Sequence, residues 1–318
     1  MIGSLTFDDY KDLLSNNKLK GNSKVYNQIQ PSSIDLTLSQ ECYEIEASFL
    51  SPNAKVKNLL KKVINKKIDL NQPYIFKKNH TYIVRLNEKL NLPKKIFGKC
   101  NPKSSSGRLD IFCRTILDYC DEYEKIPNNY KGEIFLEITS RSFNVLLNKN
   151  DSLNQMRLSF DKSNYINDNS LEKLHKIQPI IFNCKGKRKN PDISSGLKIS
   201  VDLDKNNNIS AYVAKNNAPT LIFNKIKFHK IKDYWNRINT KKNNLIIEPG
   251  KFYILKSKEK IRIPQNTAGE MIPYDTSIGD FRVHYAGFFD PGFGNNSGSF
   301  AVLEIKTNEV PFVLEDGQ

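Results

Sequence analysis

One pattern restricts how this chain can fold: part of it is written twice. HTYIVRLNEKLNLP, residues 80–93, aligns with KFYILKSKEKIRIP, residues 251–264. In each, an aromatic and aliphatic run passes into a Lys/Arg-bearing one and ends at proline, Pro93 or Pro264. Past the prolines, NPKSSSGRLDIF (101–112) falls opposite PYDTSIGDFRVH (273–284) if one residue is inserted, and GEIFLEI (132–138) falls opposite SFAVLEI (299–305). Self-similarity of this kind implies repeated copies of one structural unit. At 318 residues the chain has room for two domains of roughly 100–200 residues each. The expected organisation is a first module over residues 1–160 that opens with a helix, a Ser/Asn/Asp/Lys-rich connector over 161–195, and a second module over 196–318.

Most of the chain reads as strand. Ile34 to Leu38, Tyr82 to Leu86 and Ile134 to Ile138 alternate with period two. Helical signals are few. Thr6, with Asp9 three residues on, caps a short N-terminal helix, and Lys55 to Lys67 and Leu171 to Lys176 also read as helical. Many short strands separated by Asn, Pro and Gly predict a mainly β fold of two tandem barrel or jelly-roll modules. The first copy runs on through LNQMRLSF as a closing strand, whereas the second stops at PFVLEDGQ. The second module is therefore expected to be cut short, with a strand edge that a partner would cover.

Charge and cysteine usage narrow the function classes. The net charge of +15 is spread along the chain among many Asn and Ile residues, so it reads as a compositional bias and not as a nucleic-acid strip. No apolar run reaches the length that spans a bilayer, and the N-terminus carries acids where a signal peptide carries bases; the expectation is a cytoplasmic protein. Cys42, Cys100, Cys113, Cys120 and Cys184 form no CxxC pair, and His80, His175, His229 and His284 have no ligand spacing, so no protein-bound metal is expected.

Three features could carry chemistry. Lys103-Ser104-Ser105-Ser106-Gly107-Arg108 places hydroxyls, a glycine and two cations between predicted strands, a combination suited to phosphate oxygens or to a plain polar turn. The same slot in the second copy, residues 274–280, carries Asp275 and Asp280 and would repel phosphate. His284 to Gly294 is dense in glycine and aromatics, and its Asp290-Pro291-Gly292 reads as a tight hairpin turn that is either a platform for a flat base or a buried aromatic hairpin. Finally, Glu137 in IFLEI and Glu304 in AVLEI interrupt apolar strands. Alternation turns each away from its Leu and Ile neighbours, toward solvent or an interface; desolvation there would raise a carboxyl toward the range of a general base.

In the order IQPSSIDLTL, NPKSSSGRLDIF, GEIFLEI, FYILKSKEKIRIP and HYAGFFDPGFG with VLEI, the chain resembles the two-repeat members of the dCTP deaminase family, in the dUTPase-like superfamily. The resemblance touches the chain from about residue 3 to its end. It implies deamination of dCTP to dUTP and ammonia, Mg²⁺ held through the substrate triphosphate, no zinc, and self-association as a homotrimer. It assigns phosphate and base contacts to Lys103, Ser104, Ser105 and Arg108, with Ser106 and Gly107 in the same loop, and nucleoside contacts to Ala286, Asp290, Pro291 and Gly292. Lysine stands at 103 where the family motif has arginine. The catalytic glutamate corresponds to Glu304 or Glu137, with Ser104 and Arg108 steadying the attacking water. The first copy keeps the cations and lacks Asp-Pro-Gly; the second keeps Asp-Pro-Gly and lacks the cations. The expectation is that the two halves complement each other in one pocket, with Glu304 as the base. Zinc-dependent deamination would need H-x-E and P-C-x-x-C, which the sequence lacks. The competing readings are dUTP pyrophosphatase activity, alone or joined to deamination, and a catalytically silent nucleotide-binding or assembly protein.

Overall fold

The computed structural model describes residues 3–160, 165–272, 287–307 and 309–318, together with the backbone of 281–283. The chain divides into two compact units, Met1–Asn164 with Asn216–Lys230, and Tyr165–Lys215 with Ile231–Gln318. The division is not contiguous in sequence. Leu221–Ile222 runs parallel to Val145–Leu146 at the edge of a three-stranded sheet in the first unit, its Leu221 N–H donating to the Asn144 carbonyl at 2.8 Å. The stretch 161–195, expected as a connector, carries in its described part the helix Asp168–Ile177 and the strand Ile181–Phe182, which pairs with Tyr253–Ile261.

The first unit is built on a sheet ordered Ile64–Asp69, Leu38–Ile45, Thr81–Asn91, Lys131–Ser140, Ile111–Leu117. A second sheet sets Ile34–Leu36, Asn154–Ser159, Phe97–Pro102 and Lys125–Ile126 side by side. The second unit repeats the plan of the first sheet around Tyr253–Ile261 and Ser299–Thr307. The mainly β expectation holds, and the Thr6 capping box is formed as expected. The helix expected over Lys55 to Lys67 is confined to Val56–Leu60. Ile64–Asp69 instead pairs with Leu38–Ile45, because that edge offers backbone partners and the β-branched Ile64 and Ile68 suit a strand. Val56 and Leu60, four apart on one helix face, bury against Ile83, Ile116 and Phe135.

The duplication extends to hydrogen-bond register. Tyr82 pairs with Ile138 as Tyr253 pairs with Ile305, which places Ile83 opposite Glu137 and Ile254 opposite Glu304. Each tyrosine is fully covered, and its hydroxyl accepts a backbone N–H five residues earlier: Lys77 to Tyr82 at 3.1 Å, Glu248 to Tyr253 at 3.2 Å. Between donor and tyrosine the chain turns through Asn79 and Gly250, at φ of 63° and 73°. Tyr82→Phe or Tyr253→Phe strands that amide, and each substitution is expected to lower unfolding stability by about 1–3 kcal/mol in urea denaturation.

Candidate active site

After strand Phe97–Pro102 the cationic loop leaves Lys103 extended and winds Ser104–Gly107 into a single helical turn before strand Ile111–Leu117. The turn closes because the Lys103 carbonyl accepts from the N–H groups of Ser106 and Gly107 at 2.9 and 3.0 Å. Not all three hydroxyls face outward. Ser106 is buried and donates to the Leu153 carbonyl at 2.8 Å, while Ser104, Ser105 and Arg108 are exposed. The Arg108 Nε donates to the Ser104 carbonyl at 3.0 Å, which bends the guanidinium back over the turn. Lys103 forms an ion pair with Asp35, a residue of the IQPSSIDLTL segment to which the sequence reading gave no role. An anion reaching this loop therefore competes with a carboxylate for the lysine.

The two strand glutamates are both buried, Glu137 at 2% exposure and Glu304 at 5%. Glu137 is covered by side chains that other segments bring to it. Its Oε1 accepts from Arg114 Nε at 2.9 Å and its Oε2 accepts from the Ser48 hydroxyl. Arg114 Nη2 also donates to Ser48 at 3.1 Å, and the guanidinium stacks on the Tyr123 ring, 3.5 Å from its centroid. The Tyr123 hydroxyl lies 3.1 Å from that of Ser48. Both carboxylate oxygens of Glu137 are thus already committed. Sequence reading missed this network because Ser48, Arg114 and Tyr123 come from separate segments and share no motif.

In the second unit, Phe288–Phe289 of the aromatic segment pairs with Gly269–Glu270. Asp290, Pro291 and Gly292 form the turn that follows. The Phe293 N–H donates to the Asp290 carbonyl at 3.1 Å, the Gly292 N–H to the Ile263 carbonyl at 3.0 Å, and the Phe289 and Phe293 rings meet at 4.8 Å. Gly294 is obligatory: its φ is 82°, and a Cβ there would lie 2.2 Å from the Ile261 carbonyl oxygen. Ala286, His284 and residues 274–280 lie outside the described residues.

Other buried carboxyls escaped the sequence reading. Glu88 and Glu259 hold the same place in the repeats NEKL and KEKI. Glu88 accepts from Gln28 and from the Thr37 hydroxyl, both at 2.7 Å, and from the Thr37 N–H at 2.9 Å; burial pushes it above the usual carboxylate range. At Glu259 burial opposes the charge, but Lys189 and Ser200 donate to the carboxylate and hold it low. Glu124 has no such match. Its Oε2 is fully covered, its Oε1 accepts from the Thr115 N–H at 2.9 Å and from the Asn154 amide at 3.4 Å, and burial pushes it up to about 8. Among the described residues no helix is long and apolar enough to cross a membrane.

Comparison with known proteins covers the whole chain. The family models described as the N-terminal and C-terminal domains of 2'-deoxycytidine 5'-triphosphate deaminase match residues 2–162 and 167–318. A crystal structure of 2'-deoxycytidine 5'-triphosphate deaminase from Agrobacterium tumefaciens aligns with a TM-score of 0.94 at 37% identity, over 100% of this chain and 93% of that one. No curated protein matches the chain.

Proposed function

This chain belongs to the 2'-deoxycytidine 5'-triphosphate deaminase family, and from that premise we propose how its residues divide the conversion of dCTP and water to dUTP and ammonia. The Lys103–Arg108 loop takes the triphosphate. It presents two exposed hydroxyls and an exposed guanidinium, while Lys103 is drawn from its partner Asp35. This donor set suits phosphate oxygens and not a metal, so Mg²⁺ enters with the triphosphate as part of the substrate. The segment from Ala286 to Gly292 takes the nucleoside, and Glu304 is the general base.

What supports the choice of base is the repeat each glutamate lies in: Glu304 follows the Asp290-Pro291-Gly292 turn, whereas Glu137 lies in the copy that lacks Asp-Pro-Gly. In the reaction Glu304 removes a proton from water as the oxygen bonds to C4 of cytosine. Ser104 and Arg108 steady the attacking water and the charge that develops; one water proton passes through the glutamate to the amino group, which leaves as ammonia, and the other moves from the C4 hydroxyl to N3 of the ring, giving the uracil. The chains associate as a homotrimer, a mass that sedimentation measures directly.

Ammonia release from dCTP tests the reaction, and Arg108 tests the phosphate assignment. Arg108→Ala is expected to lower kcat/KM for dCTP by about 10–100-fold, mostly through KM, as loss of a charge-assisted contact does. The same substitution lowers the weak turnover of deoxycytidine as well, since Arg108 also steadies the attacking water, but by less, because that substrate has no phosphate. An equal loss on both substrates would remove the loop from phosphate recognition.

A further inference from the structure

The sheet that leads into the cationic loop also supplies a carboxylate to it. Asp35 and Asn101 lie opposite Gln155 from either side of the strand Asn154–Ser159, so all three side chains leave one face of the sheet. Lys103 follows Asn101 by two residues in extended backbone and leaves from the same face, which lets its ammonium cross that strand to the Asp35 carboxylate. Both side chains are part-buried. The carboxylate is the fixed member of the pair. Its own carbonyl accepts from Gln28 Nε2 at 2.6 Å, the same amide donates to Glu88 Oε1 at 2.7 Å, and Glu88 Oε2 accepts the Thr37 N–H at 2.9 Å. Lys103 reaches Asp35 through a flexible aliphatic stem, and its ammonium is a compact charge that turns readily to another anion.

Deamination exchanges an amino group for an oxygen on the base and leaves the triphosphate as it was. Whatever the loop gains from the triphosphate of dCTP it gains equally from that of dUTP. Such uniform binding lowers KM without raising kcat, and it retards departure of the product. Ser104, Ser105 and Arg108 are exposed to an arriving phosphate, whereas Lys103 is already paired. A nucleotide that recruits the lysine must break this pair and leave a part-buried carboxylate without that cation and beside a new anion. The pair therefore subtracts the same free energy from the binding of substrate and of product.

We propose that Asp35 is a built-in competitor for the triphosphate: it holds Lys103 between turnovers and takes it back from the product, setting the affinities for dCTP and dUTP by one common factor and speeding the release of dUTP. The proposal rests on the reading of the Lys103–Arg108 loop as the triphosphate site, yet its test does not require turnover. Asp35→Asn keeps the shape of the side chain and removes its charge. In isothermal titration its dissociation constant for dUTP is expected to fall by about tenfold, and stopped-flow release of dUTP to slow by a similar factor. The constant for dCTP, measured with Glu304→Gln in both proteins, falls by the same factor. Asp35→Glu, which retains the charge, stays within a few-fold of the parent, and Asp35→Ser repeats the gain independently of how the amide packs. Lys103→Gln removes the contested cation, and on that background Asp35→Asn is expected to leave dUTP affinity unchanged. Unchanged or weakened dUTP binding in an Asp35→Asn or Asp35→Ser protein that melts like the parent overturns the proposal. So does a gain that persists on the Lys103→Gln background, because the carboxylate would then act without the lysine. A parent that releases no ammonia from dCTP would instead overturn the deaminase reading and leave the Lys103-dependent gain in dUTP affinity to decide the role of Asp35.

Discussion

Glu304→Gln is expected to lower ammonia release from dCTP by about 10²–10⁴-fold with little change in melting temperature, the loss that accompanies removal of a positioned proton acceptor. Glutamine keeps the shape and hydrogen-bonding reach of the side chain but cannot take a proton from water. Glu137→Gln should behave in the opposite way. It leaves turnover within a few-fold of the parent and costs stability, because the part-buried Arg114 loses its charged acceptor while Tyr123 still holds the guanidinium in place. Breaking such a hydrogen-bonded charge pair costs about 1–3 kcal/mol when one member keeps some solvent contact. Assay and urea denaturation of the two variants side by side separate a catalytic carboxylate from a structural one. Full activity in Glu304→Gln with loss in Glu137→Gln would reverse the assignment.

The second large effect concerns pH. The carboxyl of Glu124 titrates near 4.5 in an unfolded chain and is pushed up to about 8 by burial in the fold. Between those values the unfolded chain has released the proton and the folded chain still holds it, so unfolding is favoured as pH rises. The stability associated with the protonated side chain is complete below about 4.5 and is lost as pH rises through about 8. Glu124→Gln keeps the contact to Thr115 and does not ionise. From pH 5 to pH 8 its unfolding free energy should gain on that of the parent by roughly 3–4 kcal/mol, at 1.36 kcal/mol per unit of titration between the two states. Parallel pH dependences would mean that Glu124 is as solvated in the folded chain as in the unfolded one.

What was legible in the sequence was whatever is encoded locally or by repetition. The duplication announced two copies of one β module, and Thr6 and Asp9 announced a capped helix. The orientation of Glu137 away from its Leu and Ile neighbours was also readable, because side chains on a strand must alternate. What covers that face was not. Ser48 reaches Glu137 from 89 residues away, and the Tyr123 hydroxyl lies beside that of Ser48, contacts that only the folded chain brings together. The pairing of Leu221–Ile222 with Val145–Leu146 was hidden for the same reason. Lys55 to Lys67 misled because its apolar spacing suits a helix as far as Leu60, after which an available sheet edge outweighs weak helical preference. Glu124 left no signal at all. A glutamate in DYCDEYEKIP looks solvated, and only the folded chain shows its carboxyl buried against Thr115 and Asn154.

The two copies share a scaffold and differ in their sequence motifs. The tyrosine-to-backbone bonds and the positions of both strand glutamates persist in both copies. The cationic loop persists in one, the aromatic turn in the other.

The most direct test is product analysis after incubating the purified chain with dCTP and Mg²⁺. The account predicts equimolar ammonia and dUTP, with no pyrophosphate formed. Pyrophosphate and dCMP without ammonia would contradict it and assign the chain to phosphoanhydride cleavage instead.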